Sequence, residues 1–220
     1  WTPSSGQWNH VAVTRSGSTF TFYVNGTNMG TRTFEGSIIN ANTPLTLGYA
    51  ENNISLDGML DEVEIFDRAL SQPEVQSIYN ADSAGKCKPQ CTPPPPQMVA
   101  WWPGDDSGED LIGPNDAKLM NGAAYAPGKV LNGFRLFGGA SVVEIPDTPT
   151  WALGTGEFTI DTWVKLNGQL DNPVLPGPQA LVAHDDGGGS QNKWIFWFNN
   201  QQLQLHYNDS GGNTTYIGVP

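Results

Sequence analysis

The stretch Lys86-Cys87-Lys88-Pro89-Gln90-Cys91-Thr92-Pro93-Pro94-Pro95-Pro96-Gln97 divides the chain, and the residues on either side of it decide the fold. It is the only segment with no hydrophobic period. Four successive prolines fix φ and remove backbone donors, which predicts an extended, stiff polyproline II spacer. The residues before it read like the end of a domain, and those after it like the beginning of one. The only cysteines of the chain, Cys87 and Cys91, stand at its start. Two thiolates fall short of the four ligands of a structural zinc site, and no histidine is near. Their spacing suits a small disulfide loop in an extracellular linker, with free thiols or an intermolecular bridge as the alternatives.

Upstream, Trp8–Arg15 and Thr19–Val24 alternate and are rich in β-formers, and Asn25-Gly26 is a type I′ hairpin signal. Thr31–Phe34 is the expected return strand. Leu45–Tyr49 and the longer Leu56–Phe66 follow. Ser71-Gln72-Pro73-Glu74 is a capping box, and Val75, Ile78 and Tyr79 have helical spacing, which predicts a short helix ending near Gly85. Downstream, strands are expected at Met98–Trp102, Phe134–Phe137, Ser141–Ile145, Phe158–Leu166, Leu181–Ala183, Trp194–Phe198, Leu203–Tyr207 and Tyr216–Val219. In Phe158–Leu166, Phe158, Ile160, Thr162 and Val164 share one face, and Thr159, Asp161, Trp163 and Lys165 the other. The expected class is all-β, an antiparallel β-sandwich with one short helix before a Pro-rich linker.

Composition narrows function. With 26 glycines, 17 prolines and 15% charged residues, the chain is turn-rich and water-soluble. A net charge of −12 argues against nucleic acid partners. No apolar run is long enough to insert in a membrane, and no signal peptide is visible; a secretion signal, if there is one, lies outside this sequence.

Both halves resemble the laminin G-like jelly roll of the concanavalin A-like lectin/glucanase superfamily. Its closing half is similar to Trp8-Asn-His-Val-Ala-Val13, Phe22-Tyr-Val-Asn-Gly26, Leu45-Thr-Leu-Gly48, Leu56-Asp-Gly58, Leu60-Asp-Glu-Val63 and Ala69-Leu70-Ser71. Its opening half is similar to Ala100-Trp-Trp-Pro-Gly-Asp105, Tyr125-Ala-Pro-Gly128, Val143-Glu-Ile-Pro146 and Gly156–Val164. The order is inverted: residues 1–85 read as the closing half, 86–97 as linker, and 98–220 as the opening half. Joining Pro220 to Trp1 gives a continuous strand, turn and strand. Three arrangements follow: a circular permutation closed on itself, half-domains that pair with neighbouring chains, or one period of a tandem array. The abrupt ends favour the third, with residues 98–220 of one copy completing residues 1–85 of the next, head to tail.

Leu60-Asp-Glu-Val-Glu-Ile-Phe-Asp67 bears on chemistry. Period two places Met59, Asp61, Val63 and Ile65 on one face and Leu60, Glu62, Glu64 and Phe66 on the other. Glu62-x-Glu64-x-x-Asp67 is an approximate echo of the superfamily's glucanase motif, whereas the Leu-Asp-Glu-Val form resembles its non-catalytic laminin G-like members. No catalytic residue is therefore expected; a glycoside hydrolase is a distant alternative. Asp61, on an apolar face, needs a partner. Together with Asp105, Asp110 and Asn115 of the acidic, glycine-rich loop it forms an expected oxygen ligand set for structural calcium, which relatives of this fold often hold; a solvated loop with Asp61 capping a turn is the alternative. Trp194, Trp197 and Tyr207 beside Asn199 are candidates for glycan binding, weighed against core packing. Sequons occur at Asn25, Asn53, Asn208 and Asn213. The expected function is a non-catalytic extracellular or cell-surface adhesive repeat, with beads on Pro-rich spacers. A carbohydrate-binding lectin-like module is the alternative.

Overall fold

The computed structural model describes residues 3–51, 53–85, 94–167, 177–188 and 191–219. In chain order the strands are β1 (Trp8–Ser16), β2 (Thr19–Val24), β3 (Thr27–Thr33), β4 (Leu45–Leu47), β5 (Tyr49–Ala50), β6 (Ile54–Ser55) and β7 (Asp57–Phe66). Helix α1 (Gln72–Ala81) follows. Then come β8 (Met98–Trp102), β9 (Lys118–Met120), β10 (Ala124–Pro127), β11 (Asn132–Phe137), β12 (Val142–Ile145) and β13 (Phe158–Leu166). The last are β14 (Gln179–Asp185), β15 (Lys193–Asn199), β16 (Gln202–Asn208) and β17 (Thr214–Val219).

Two antiparallel sheets face each other. The first runs β10-β11-β7-β13-β1-β2-β3, with β8 beside the second half of β7. The second runs β17-β16-β15-β14-β4-β12-β9, and β5–β6 is a separate hairpin. The two halves of the chain interleave. Strand β13 lies between β7 and β1, and β4 lies between β14 and β12. Both halves therefore complete one sandwich within one chain. Helix α1 and β8, which flank the Pro-rich connection, both belong to this sandwich. Its end docks on the end of β7: Arg68 Nε donates to Pro96 O at 2.9 Å, and the Gln97 carbonyl accepts from Asp67 N at 3.2 Å. Cys87 and Cys91 lie outside the described residues.

The local chemistry explains the elements. Asn25 and Gly26 have φ of 49° and 73°, the left-handed pair that a two-residue type I′ hairpin needs between β2 and β3. The return strand begins at once, at Thr27 rather than Thr31, because such a turn restarts pairing without a loop. Glu74 Oε2 accepts from Ser71 N at 2.9 Å at the start of α1, as the capping box requires. Between the sheets lie Phe158, Ile160 and Val164 of β13, Trp194, Phe196 and Phe198 of β15, and Leu203, Leu205 and Tyr207 of β16. This is the inward-facing set that the alternation of β13 predicts.

Strand β7 departs from strict alternation. Glu62 adopts φ 51°, and the register against β13 slips there, so Glu62 and Val63 together oppose Thr162. Such a bulge moves every later side chain to the other face. Leu60 opposes Val164 and Ile65 opposes Ile160, all in the core with Val63. Asp61 opposes Trp163 and Glu64 opposes Asp161, on the outer face. The expected grouping of Asp61 with Val63 and Ile65 is thus corrected: Asp61 and Glu64 share the outer face.

Candidate functional site

The outer face of the first sheet is sealed. Val75 and Ile78 of α1 pack on Ala12, Tyr23, Phe66 and Leu70. Beside them Asp61, Glu62, Glu64 and Asp161 are buried, none more than 4% exposed. Asp61 Oδ2 accepts from Lys129 N at 2.6 Å and Val130 N at 2.9 Å, so it caps the turn that covers it. Burial pushes its carboxyl up to about 8, and the neighbouring Glu62 and Asp105 add to the shift. Glycine makes this close approach feasible: a Cβ on Gly128 would stand 2.4 Å from Asp61 Oδ2, and one on Gly133 2.8 Å from Leu60 O. Trp101 Nε1 donates to Glu62 Oε2 at 3.0 Å, and Asp161 faces His10 Nε2 at 3.5 Å.

The acidic loop is closed by its own hydrogen bonds. Asp110 Oδ1 accepts from Trp101 N (3.0 Å) and Ile112 N (3.1 Å), and Asn115 Nδ2 reaches Asp110 Oδ2 at 3.4 Å. Asp105 Oδ1 accepts from Asn132 N at 3.0 Å. Asp61, Asp105, Asp110 and Asn115 thus each hold a turn or a strand start. Among the described residues no group of three or more His, Cys, Asp or Glu side chains is placed to hold a metal ion.

The outer face of the second sheet is different. Of the expected glycan residues, Trp194 and Tyr207 point into the core, where Trp194 Nε1 donates to Trp151 O at 3.0 Å and Tyr207 stacks on Phe20. No ligand can reach them, which corrects that part of the expectation. Alternation puts Trp197 on the opposite side of β15, with His206 of β16 and Tyr216 of β17. The Trp197 and Tyr216 rings are nearly parallel, 14° apart with centroids at 6.3 Å, and His206 stands edge-on to both. Tyr216 is 54% exposed. Buried Trp197 Nε1 and both His206 ring nitrogens have no hydrogen-bond partner. Burial and Lys193 hold the His206 imidazole down to about 4, hence neutral at pH 7. An amide row adjoins the rings: Asn199 Nδ2 donates to Gln204 Oε1 (3.4 Å), and Gln204 Nε2 to Gln202 Oε1 (2.8 Å). Gly218, directly opposite Gln204, leaves room for that side chain.

The β5–β6 hairpin closes the other end of this face. Ala50 and Ile54 pack on Ala180, Ala183, Ile195 and Trp197. Beyond it a cleft of about 370 Å³ is lined by Tyr49, Glu51, Asn121, Glu144, Asp185 and Asp186, among others. Lys193 is fully buried at its margin, and its Nζ contacts Glu51 Oε1 and the Gly187 carbonyl. The motifs had not singled out Lys193, Glu51, Asp185 or the unpartnered role of His206. A lysine at the start of an apolar strand, Lys193-Trp-Ile-Phe-Trp-Phe198, was the available signal.

A laminin G family model, described as the concanavalin A-like lectin/glucanases superfamily, matches residues 2–76. Over those residues the chain is similar to that superfamily. The match covers β1–β7 and the start of α1, the part that resembles the closing half of the jelly roll. The downstream strands that interleave with it make the fold an antiparallel jelly-roll sandwich, as expected. No curated protein and no solved structure matches the chain.

Proposed function

We propose that the protein is a non-catalytic extracellular adhesive module of the superfamily. The observation that carries this reading is the sealed acid strand. Glycoside hydrolysis needs two carboxyl groups flanking a bond in a cleft that admits the sugar. Glu62, Glu64 and Asp161 instead lie under the elements that cover the first sheet, and Asp61 is bonded to backbone. Carboxylates in such a place support the fold. The extracellular setting rests on the family, whose laminin G-like members are typically extracellular; no helix among the described residues is long and apolar enough to cross a membrane. The same strand pairing, made between chains instead of within one, would give the head-to-tail fibre. Sedimentation across a range of concentrations tests it. Assemblies growing with concentration support exchange, and a concentration-independent monomer removes it.

A second reading, a lectin-like module, is supported by the exposed Tyr216 ring, which stacks on the buried Trp197 ring. Stacked rings beside a row of amides suit a neutral sugar, which offers an apolar ring face and a hydroxyl edge. Retention on a panel of immobilised neutral glycans, lost in Tyr216→Ala, is the expected result. No retention on any glycan, or retention that ignores Tyr216, would leave only the adhesive reading.

A further inference from the structure

Lys193, Asp185 and Glu51 form a buried group that neither reading uses. Lys193 and Asp185 are direct cross-strand partners on β15 and β14, two rigid neighbouring strands. Lys193 is 0% exposed, and the Asp185 and Glu51 side chains 5% and 13%. Lys193 Nζ contacts Glu51 Oε1 and stands 3.6 Å from Asp185 Oδ1. Two backbone donors grip the Asp185 carboxyl: Gly187 N to Oδ1 at 2.9 Å and Glu51 N to Oδ2 at 2.7 Å. Ile195 and Trp197, on the same face of β15 as Lys193, pack with Ala183 and Ala50 in an apolar cluster. His206, the other titratable group on the adjoining strand, has Nε2 3.8 Å from Glu51 Oε1.

We propose that Lys193 and Asp185 condense to an intramolecular amide, a covalent staple across β14 and β15, with Glu51 as the proton carrier. Condensation replaces an ammonium–carboxylate pair, whose ammonium is fully buried, with one neutral amide. Glu51 Oε1 takes a proton from Nζ and passes it to Asp185 Oδ1. The freed lone pair attacks Asp185 Cγ, and the oxygen charge that develops on Oδ2 is met by the Glu51 N–H. The Nζ–Cγ bond forms and the Cγ–Oδ1 bond breaks. The second proton from nitrogen follows the same route, and Oδ1 leaves as water. One ammonium and one carboxylate become one amide and one water, so atoms and charge balance with no added reactant. Two groups fixed on neighbouring strands, with Nζ 3.6 Å from Oδ1, supply the effective concentration that drives condensation in water. Such a staple suits a module under tension.

The test is the intact mass of the denatured, reduced full chain. The expected mass is one water below that of the sequence. A protease that cuts before Asp186 should then leave the fragments carrying Asp185 and Lys193 still joined. Asp186-Gly187 could lose water as a succinimide, so the deficit must survive alkaline incubation, which opens a succinimide. In Lys193→Arg the deficit should vanish. In Glu51→Gln, which keeps shape but cannot carry the proton, it should vanish or form far more slowly, with folding checked by circular dichroism. The full sequence mass in the wild-type protein overturns the proposal, and so does a deficit that persists in Lys193→Arg.

Discussion

The two sheets share one core, but their outer faces have opposite fates. The first sheet turns Asp61, Glu64, Asp161 and His10 outward and then buries them under α1 and the Lys129–Val130 turn. The second turns Trp197, Gln204, His206 and Tyr216 outward and leaves the Tyr216 end open. Acidic residues on a strand suggest chemistry, and here they are sealed. Aromatic residues on a strand suggest core, and here one of them, Tyr216, reaches the surface. Chemical type alone does not separate structural from working residues; the covering elements do.

The sharpest way to break this comparison is to remove the seal. Phe66→Ala deletes a fully buried ring that α1 packs against, and it should cost about 3–5 kcal/mol in denaturant unfolding. A cost under about 1 kcal/mol would mean that the helix does not seal the face.

A smaller effect is expected from pH. The Asp61 carboxyl is raised to about 8 in the folded chain and titrates in the ordinary acid range when unfolded. Between those values the unfolded state has lost its proton and the folded state keeps it. This contribution to stability is therefore complete at low pH and is lost as pH rises toward about 8. Asp61→Asn should abolish that slope, so that wild type loses about 2 kcal/mol relative to the variant between pH 6 and 8. Parallel melting curves for the two proteins across that range would contradict the sealed carboxylate.

The helix start should matter less. Ser71→Ala removes one side of the capping box, at a cost of about 1 kcal/mol. Glu74, held down to about 2 chiefly by Arg68, keeps its contribution above the ordinary glutamate range and loses it as pH falls toward 2. Acid titration followed by circular dichroism should therefore show α1 weakening at the acid end. On the open face, Tyr216→Ala should change stability by less than about 1 kcal/mol, because its ring is largely in water. A large loss there would show that Tyr216 belongs to the fold rather than to a binding surface.

Much of the fold was legible. The alternation of Phe158–Leu166, the Asn25-Gly26 turn and the Ser71–Glu74 capping box each carry a local signal strong enough to survive tertiary context. The bulge at Glu62 was not legible, because a single extra residue in a left-handed conformation leaves no mark on the pattern of polar and apolar types. It reassigned the residues of β7 that follow it. The short strands β9 and β10 were missed for lack of periodicity in Lys118–Met120 and Ala124–Pro127. Of the site, Trp197 and Asn199 were named as candidates, and alternation along β15 puts both on the outer face. Trp194 and Tyr207 differ from them only by the parity of their position, which residue type does not encode. Asp61 was rightly expected to need a partner. That the partner is the backbone at Lys129 and Val130 depended on Gly128 and Gly133, whose role appears only when β11 is laid beside β7.

The measurement that tests the central claim most directly is release of reducing sugar from a panel of β-glucans, with wild type, Glu62→Gln and Glu64→Gln side by side. A sealed acid face predicts no release from any of the three. Release by the wild type that disappears in either variant, with the variant still folded, would contradict it.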